Sequence, residues 1–208
     1  MIFKTKHILT FLILCLSITL FAGETQNKKP QIKQETVIQK FIAWDNDLRT
    51  LDTFYTQETS FEGTLISKSE GHLLKMGQIL RLETLEEGKL IQYALTDKKE
   101  INIFDADSNL ITKMLWEDWQ ETQQNKSLFD FGNYAKILED HKVTSYEANE
   151  QGYLLVLTPK EGESYTLTFL LDKNYFPKEI NLLNDGVSSK TVLQKTKINQ
   201  ALKEEIIK

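Results

Sequence analysis

The sequence has only one cysteine, Cys15, among its 208 residues. A single cysteine cannot form a disulfide within the chain, so the fold must depend on non-covalent packing. Histidine is also scarce, and two of the three histidines, His72 and His141, lie far apart with no cysteine beside them. A zinc site or a histidine acid–base site needs neighbouring partners. We therefore expect both histidines at surface or strand positions rather than in a metal or catalytic site.

Familiar catalytic motifs are also missing. The sequence contains no G-x-S-x-G, no H-E-x-x-H and no glycine-rich phosphate loop. Asp105 to Asn109 begins like a calcium loop, but Leu110 and Trp116 stand where such a loop needs glycine and glutamate. A polar turn between two strands is the better interpretation of that segment. The sequence predicts a protein that is not an enzyme and that needs no cofactor or metal.

Long apolar runs are absent except at the start of the chain. Lys4 and Lys6 precede the apolar stretch Ile8 to Phe21, and Ala22 or Gly23 supplies a small residue at a cleavage site. About 14 apolar residues fall short of the roughly 20 that a membrane-spanning helix needs. We expect a cleaved signal peptide over 1–22 rather than an uncleaved anchor, followed by a flexible leader over 23–34.

Lipid modification of Cys15 is an alternative that the neighbouring residues disfavour. Ile13 and Leu14 precede the cysteine where a lipoprotein signal has small residues. The exported chain is then free of cysteine and acidic, since the formal net charge is already −5 before Lys4 and Lys6 are removed. Acidity argues against nucleic acid and anionic membrane surfaces as direct partners. These properties favour the periplasm.

A helix is predicted directly after the leader. Thr36 and Gln39 have the spacing of a capping box. Apolar residues then recur every three or four positions and form one stripe: Val37, Phe41, Trp44, Leu48 and Leu51. The charged residues of this segment are predicted on the remaining surface: Lys40, Asp45, Asp47 and Arg49.

Most of the remaining chain has the pattern of short antiparallel strands. Between 53 and 114 glycine-marked turns recur at intervals of about ten residues, and 153–198 reads as a four-strand meander. The segment 115–142 interrupts this rhythm with two short helical patterns, the second capped by Ser127. We expect one domain over 35–208, with about ten or eleven antiparallel strands in a sandwich or barrel, a helix in front and a helical insert.

Both faces of the predicted sheet carry apolar side chains, so both need to be covered or filled. One face can pack on the helix while the other lines a cavity closed by the aromatic residues of the insert. The same side chains could instead form a tight core, because periodicity does not separate a filled barrel from a hollow one.

Several short motifs follow one another along the chain: Leu51 to Gln57, Gly71 to Lys75, Arg81, Ala94 to Asp97, Ile103 to Asp105, Leu157 to Lys160, and Ile198-Asn199 with Leu202. Their order and spacing, over about Glu35 to Ile207, resemble those of the LolA family of periplasmic lipoprotein carriers. The resemblance implies a mainly β fold: an incomplete antiparallel β-barrel with an N-terminal helix and a helical lid at about 115–142 enclosing an apolar cavity.

One motif departs from the family. The usual Lys-Arg-Pro-Gly reads Lys75-Met76-Gly77-Gln78, and methionine cannot donate the hydrogen bonds by which the family's arginine is associated with holding the lid. Either another residue holds the lid, with Arg81 the nearest candidate, or the lid closes less firmly.

The resemblance further implies a monomeric carrier that binds the acyl chains of lipoproteins. It would receive them from an inner-membrane lipoprotein-releasing ABC transporter and deliver them to an outer-membrane receptor. The expected cavity and lid residues are Leu80, Leu82, Ile91, Tyr93, Leu95, Ile103, Trp116, Trp119, Leu128, Phe131, Phe169 and Ile180. The alternatives are an envelope sensor of lipid or lipoprotein, a lipid carrier of the same fold, a lipid-modified receptor of that fold, and a structural protein with a filled core.

Overall fold

The computed structural model describes residues 32–123, 130–162 and 164–203. Its helices are α1 (Gln34–Asn46), α2 (Trp116–Thr122) and α3 (Tyr134–Asp140). Its strands are β1 (Thr50–Phe61), β2 (Thr64–Met76), β3 (Ile79–Glu86), β4 (Lys89–Thr96), β5 (Glu100–Asp105), β6 (Leu110–Leu115), β7 (His141–Ala148), β8 (Tyr153–Pro159), β9 (Thr166–Leu171), β10 (Pro177–Asn184) and β11 (Val187–Ile198). The predicted signal peptide and most of the predicted leader lie outside the described residues.

All eleven strands belong to one antiparallel sheet. The strand order is β6-β5-β4-β3-β2-β1-β11-β10-β9-β8-β7, so every neighbour in space is a neighbour in sequence except the β1–β11 pair. The four-strand meander β8 to β11 is confirmed, as is the mainly β fold of ten or eleven antiparallel strands. Among the described strands, β6 and β7 form the two edges and the sheet is not closed, which matches an incomplete barrel.

The sheet has one face that carries the core and one that does not. Alternate residues of β1 and of β8 and β9 are buried, as expected for strands with one face packed against other elements. We call the side that carries Leu51, Leu73, Leu155 and Phe169 the inner face, and the opposite side the outer face. The helices pack on the inner face, where Phe41 of α1 lies edge-on against Phe169 at 5.4 Å between ring centroids.

Helix α1 differs from its prediction at both ends. It begins at Gln34, after Lys33, and Thr36 lies within its first turn, so the predicted capping box is wrong. It ends at Asn46, and the residue that completes the apolar stripe, Leu51, is buried on the inner face of β1 instead. Leu51 therefore fits the helical spacing only by coincidence, because alternate residues at the start of β1 are buried as well.

The segment between β6 and β7 contains the two predicted short helices, α2 and α3. We call this segment, residues 116–140, the helical insert. Residues 124–129, which include the predicted cap Ser127, lie outside the described part. None of the described helices is long and apolar enough to cross a membrane.

Candidate functional site

The inner face of the sheet is the candidate functional surface. Across β8, β9 and β10 its apolar side chains lie in cross-strand rows, since Leu155 pairs with Phe169 and Phe169 pairs with Ile180. Leu157 and Leu167 form the corresponding pair of the next row. All five residues are fully buried. The rows form a continuous apolar surface of the kind that can hold a hydrocarbon chain.

The structure brings together eight of the predicted cavity and lid residues on this face and on the helical insert. All eight contribute to the buried core or pack against it, and Trp119 also stacks on Trp116 with a distance of 5.0 Å between ring centroids. The eight are Leu80, Leu82, Ile103, Trp116, Trp119, Phe131, Phe169 and Ile180. The predicted residue Leu128 lies outside the described residues. Their role in binding stays a prediction.

Three residues predicted for the same cavity are placed elsewhere. Arg81 pairs with Leu95 and Glu83 pairs with Tyr93, whereas Leu82 of the core pairs with Ala94. Leu95 and Tyr93 therefore point to the outer face, because successive residues of a strand alternate between faces. Ile91 borders a separate cleft of about 510 Å³ near the β3–β4 turn. The structure therefore does not bring these three residues together with Leu82, and their role in binding stays a prediction.

The helical insert is attached to α1 through a buried carboxylate. Asp45 is 1% exposed, although the sequence pattern places it on the solvent side of the helix. Its Oδ1 accepts a hydrogen bond from the backbone N–H of Gly132 at 2.6 Å, and its Oδ2 accepts one from Tyr134 at 2.8 Å. Burial raises the pKa of Asp45 above its ordinary value, while these two hydrogen bonds oppose the shift.

Two lysines lie near the same junction, and one of them, Lys98, bonds to the insert. Lys98, in the turn between β4 and β5, donates a hydrogen bond from Nζ to the carbonyl oxygen of Phe131 at 2.8 Å. Lys75 donates to the carbonyl oxygens of Leu48 and Gly77 at 3.2 and 2.8 Å. Burial lowers the pKa of both lysines, and the positive charge of Lys98 lowers that of Lys75 further. Among the described residues, Asp45 and Lys98 therefore bond directly to the insert.

Arg81 lies on the outer face of the sheet, and its role in holding the lid stays a prediction. Its Nε donates to Glu83 Oε1 at 2.8 Å, and its guanidinium lies 4.4 Å from the centroid of the Tyr93 ring on the outer face. Met76 lines a cleft of about 500 Å³ together with Asp45, Lys75 and Lys98. No sequence motif marks Asp45 or Lys98, because their partners lie in a distant part of the chain.

The outer face carries a row of paired side chains that crosses six strands. Phe54 pairs with His72, His72 with Glu83, and Glu83 with Tyr93, and the row continues through Phe104 to Ile111. The rings of Phe54 and His72 stack at 4.3 Å, and those of Tyr93 and Phe104 stack at 5.0 Å. The row binds the strands β1 to β6 together on the side away from the core.

His72 lies between two carboxylates in this row. Its Nε2 is 2.7 Å from Asp52 Oδ1 and its Nδ1 is 3.3 Å from Glu83 Oε2, while Lys197 lies 2.9 Å from Asp52 and Arg81 contacts Glu83. Burial alone would lower the pKa of His72, but the two carboxylates outweigh it and the pKa is raised. The hydrogen bond from His72 lowers the pKa of Glu83, and that of Asp52 is lowered despite its burial.

We expect the stability contributed by His72 to depend on pH. It should be complete below the ordinary histidine pKa of about 6.5 and should be lost as pH rises through the raised pKa of the folded state. It should also be lost as pH falls through the lowered pKa values of Asp52 and Glu83. Urea unfolding of His72→Gln should show a deficit on the order of 1 kcal/mol at pH 5.5 and a clearly smaller one at pH 8.5.

The exposed pair Lys68–Glu58, at 2.8 Å, offers the control. Neither group titrates between pH 5.5 and pH 8.5, so any deficit of Lys68→Gln should be the same at both. A His72→Gln deficit that stays constant between the two pH values would contradict the assignment of a raised pKa.

The second histidine has a structural role at the start of β7. His141 is buried, its Nδ1 lies 2.6 Å from the carbonyl oxygen of Ile137, and its Nε2 lies 2.9 Å from the hydroxyl of Tyr165. Both histidines occupy strands, as predicted. In the described part of the chain, no group of three or more His, Cys, Asp or Glu side chains could hold a metal ion.

The predicted polar turn after β5 is also confirmed. Oδ1 of Asp105 accepts hydrogen bonds from the backbone N–H and the hydroxyl of Ser108 at 2.7 and 2.6 Å. The side chain therefore stabilises the turn that joins β5 to β6.

The fold and this surface define a class of protein: an open antiparallel barrel whose apolar inner face is covered by an N-terminal helix and a helical insert. The chain has the fold of the LolA superfamily. It is similar to a LolA superfamily protein from Nitrosomonas europaea, with a TM-score of 0.55 and 10% sequence identity over 85% of this chain and 98% of the other.

Two further solved structures are similar in the same way. A conserved protein from Thermus thermophilus gives a TM-score of 0.53 at 13% identity, over 83% of this chain and 91% of the other. A domain from Vibrio parahaemolyticus, assigned by name to outer-membrane lipoprotein sorting, gives a TM-score of 0.50 at 9% identity, over 83% of this chain and 94% of the other. No protein-family profile and no curated protein sequence matches this chain. At these identities the likeness establishes the fold.

Proposed function

We propose that the protein is a non-enzymatic periplasmic carrier, which binds the acyl chains of lipoproteins and moves them from the inner to the outer membrane. The observation that carries the proposal is the apolar inner face of an open sheet, covered by helices that a few polar contacts hold in place. The fold shared with a domain assigned to lipoprotein sorting supports it.

The physical basis is the transfer of hydrocarbon from water into an apolar site. Each buried CH₂ group is worth roughly 0.8 kcal/mol, so an acyl chain strongly favours a dry surface over water. Delivery then requires that the cover opens and that binding is not too tight, and no covalent step is needed. An inner-membrane lipoprotein-releasing ABC transporter as donor and an outer-membrane receptor as acceptor complete the proposed route.

Two adjacent leucines of β10 provide a matched test of acyl binding. Leu182 lies on the inner face and packs against the core, whereas Leu183 lies on the outer face and is 45% exposed. A glutamate on the inner face would have to be buried beside a hydrocarbon chain, which is costly. Leu182→Glu should therefore bind a fluorescent fatty acid at least tenfold more weakly, and Leu183→Glu should bind it like the unmodified protein.

The carrier function is tested by release of lipoprotein from spheroplasts of the host. The protein without residues 1–22 should bring acylated lipoprotein into the supernatant as a soluble complex, Leu183→Glu should do the same, and a folded Leu182→Glu should not. Acyl binding without release would contradict the lipoprotein cargo and point to a lipid carrier or sensor. If the unmodified protein neither binds the fatty acid nor releases lipoprotein, the carrier proposal fails and the protein is a β-domain with a filled core.

A further inference from the structure

The inner face of the sheet is not apolar throughout. Where β2, β1 and β11 pair, Thr59 lies opposite Ser189 and Gln57 lies opposite Thr191. On the other side of β1, Ser67 and Ser69 pair with the same two residues of β1. We call these six residues the hydroxyl patch: Gln57, Thr59, Ser67, Ser69, Ser189 and Thr191.

The hydroxyl patch continues directly into the apolar rows. Ser189 pairs with Leu182 and Thr191 pairs with Ile180 on β10. Ile180 in turn pairs with Phe169 of β9. A hydrocarbon chain on the apolar rows would therefore end, or carry its polar linkage, beside the hydroxyl-bearing strands.

One hydroxyl of the patch has an unsatisfied hydrogen-bonding capacity. Ser189 is 1% exposed, and its Oγ has no hydrogen-bond partner among the described residues. Its neighbour Thr191 is also buried, but the Thr191 hydroxyl donates to Gln57 Oε1 at 3.2 Å. Buried hydroxyls nearly always have a partner, so an orphaned one indicates an acceptor that is not part of the described chain.

A second orphaned hydroxyl reaches the same face from the helical insert. Tyr134 is fully buried, and its phenolic oxygen also lacks a partner among the described side chains and backbone groups. Its ring packs against Phe169 with a centroid distance of 5.3 Å. Phe169 belongs to the same cross-strand row as Ile180 and Thr191. The Tyr134 ring therefore packs on the row that ends at Thr191, next to the row that ends at Ser189.

We propose that the hydroxyl of Ser189, assisted by that of Tyr134, binds the carbonyl oxygen of an ester- or amide-linked acyl group. The hydroxyls donate and the carbonyl oxygen accepts, so the linkage of the cargo is recognised along with its hydrocarbon chain. This inference rests on the proposed function, because it assigns a polar subsite to the same inner face. It makes the protein selective for acyl chains over alkyl chains of equal length.

A pair of ligands that differ in the linkage alone tests the subsite. Dipalmitoylglycerol has two ester carbonyls, and its dihexadecyl diether analogue has the same chain length and no carbonyl. The unmodified protein should bind the diester about tenfold more tightly than the diether, as judged by displacement of a fluorescent fatty acid. Ser189→Ala should reduce that ratio to about threefold or less, and addition of Tyr134→Phe should bring it close to one.

Ser188→Ala is the matched control for Ser189→Ala. Ser188 is the preceding residue of β11, but it points to the outer face, where its Oγ lies 3.0 Å from Asn181 Oδ1. Its removal should leave the ratio at the unmodified value. A ratio that Ser189→Ala does not change would overturn the subsite and would indicate that a buried water satisfies the serine.

A second arm identifies the source of the acyl group, since lipoproteins and phospholipids both contain ester carbonyls. A dipalmitoylglyceryl-cysteine peptide and dipalmitoylphosphatidylethanolamine are compared with each variant. The ligand that binds more tightly to the unmodified protein identifies the source. Ser189→Ala must weaken the binding of that ligand more than the binding of the diether; otherwise the subsite is refuted. If the unmodified protein binds none of these ligands, the proposed carrier function fails, and the subsite fails with it.

Discussion

Replacement of Asp45 with alanine is expected to loosen the helical insert and to lower the free energy of unfolding by about 3 kcal/mol. The substitution removes the acceptor of two buried backbone hydrogen bonds, from Gly132 and Tyr134. It also removes the nearby negative charge that offsets the positive charges of Lys75 and Lys98. Both losses fall on buried groups, where an unpaired donor or charge is most costly.

The change should appear first in the contacts that Asp45 makes. Hydrogen exchange at the amides of Gly132 and Tyr134 should become faster, and urea unfolding should give the loss of stability. The exchange rates and the stability of Asp45→Asn should lie between those of the unmodified protein and those of Asp45→Ala. The amide oxygen of asparagine can replace one acceptor, while its NH₂ group faces the other backbone N–H. The exposed Asp47 at the end of α1 is the control, and Asp47→Ala should leave both measurements almost unchanged.

If Asp45→Ala changed the exchange of these two amides no more than Asp47→Ala does, the insert would be held by other contacts. The same result would remove the reason for assigning to Asp45 the role of holding the insert.

Replacement of Gly71 with alanine is the second change with a large expected effect. A Cβ atom at Gly71 would overlap the ring of Tyr55 and the backbone carbonyl oxygen of Glu83. Tyr55 pairs directly with Gly71 and covers it on the inner face, and burial raises the pKa of the Tyr55 phenol to about 12. Because the ring and the neighbouring strand β3 must both move, we expect a loss of about 3 kcal/mol or more.

Thermal and urea unfolding measure this loss. Glu70→Ala, on the same strand at an exposed position, should cost much less. Combining Gly71→Ala with Tyr55→Leu should recover part of the loss, since the shorter side chain removes the ring while the carbonyl oxygen of Glu83 remains. A Gly71→Ala protein as stable as Glu70→Ala would mean that the sheet adjusts freely at this point.

Much of the fold was predictable because the relevant signals are local. Alternation of apolar residues along 153–198 and short polar turns between the runs determine the meander β8 to β11. The two helices of the insert follow from a change of period between β6 and β7. These features need no knowledge of which residues meet across the sheet.

The site was less predictable because it depends on contacts between distant residues. Asp45 and Gly132 are 87 positions apart, and nothing near Asp45 distinguishes a buried carboxylate from an exposed one. Tyr93 and Leu95 show the second difficulty, because their strand is apolar on both faces and a shift of one residue reverses its orientation. Ser189 was missed for a related reason: a serine within a polar stretch of β11 carries no sign of burial.

The β1–β11 pair has a consequence for how the chain folds. The order of the strands makes β1 to β6 and β7 to β11 two separate meanders, each built from neighbours in sequence, and a single pairing joins them. Within that pairing Thr53 contacts Gln194, which is 141 residues away. Each doubling of a loop costs roughly 0.6 kcal/mol in closure entropy, so this closure costs about 3 kcal/mol more than a hairpin. We therefore expect the two meanders to form early and the pairing of β1 with β11 to be the rate-limiting step of folding.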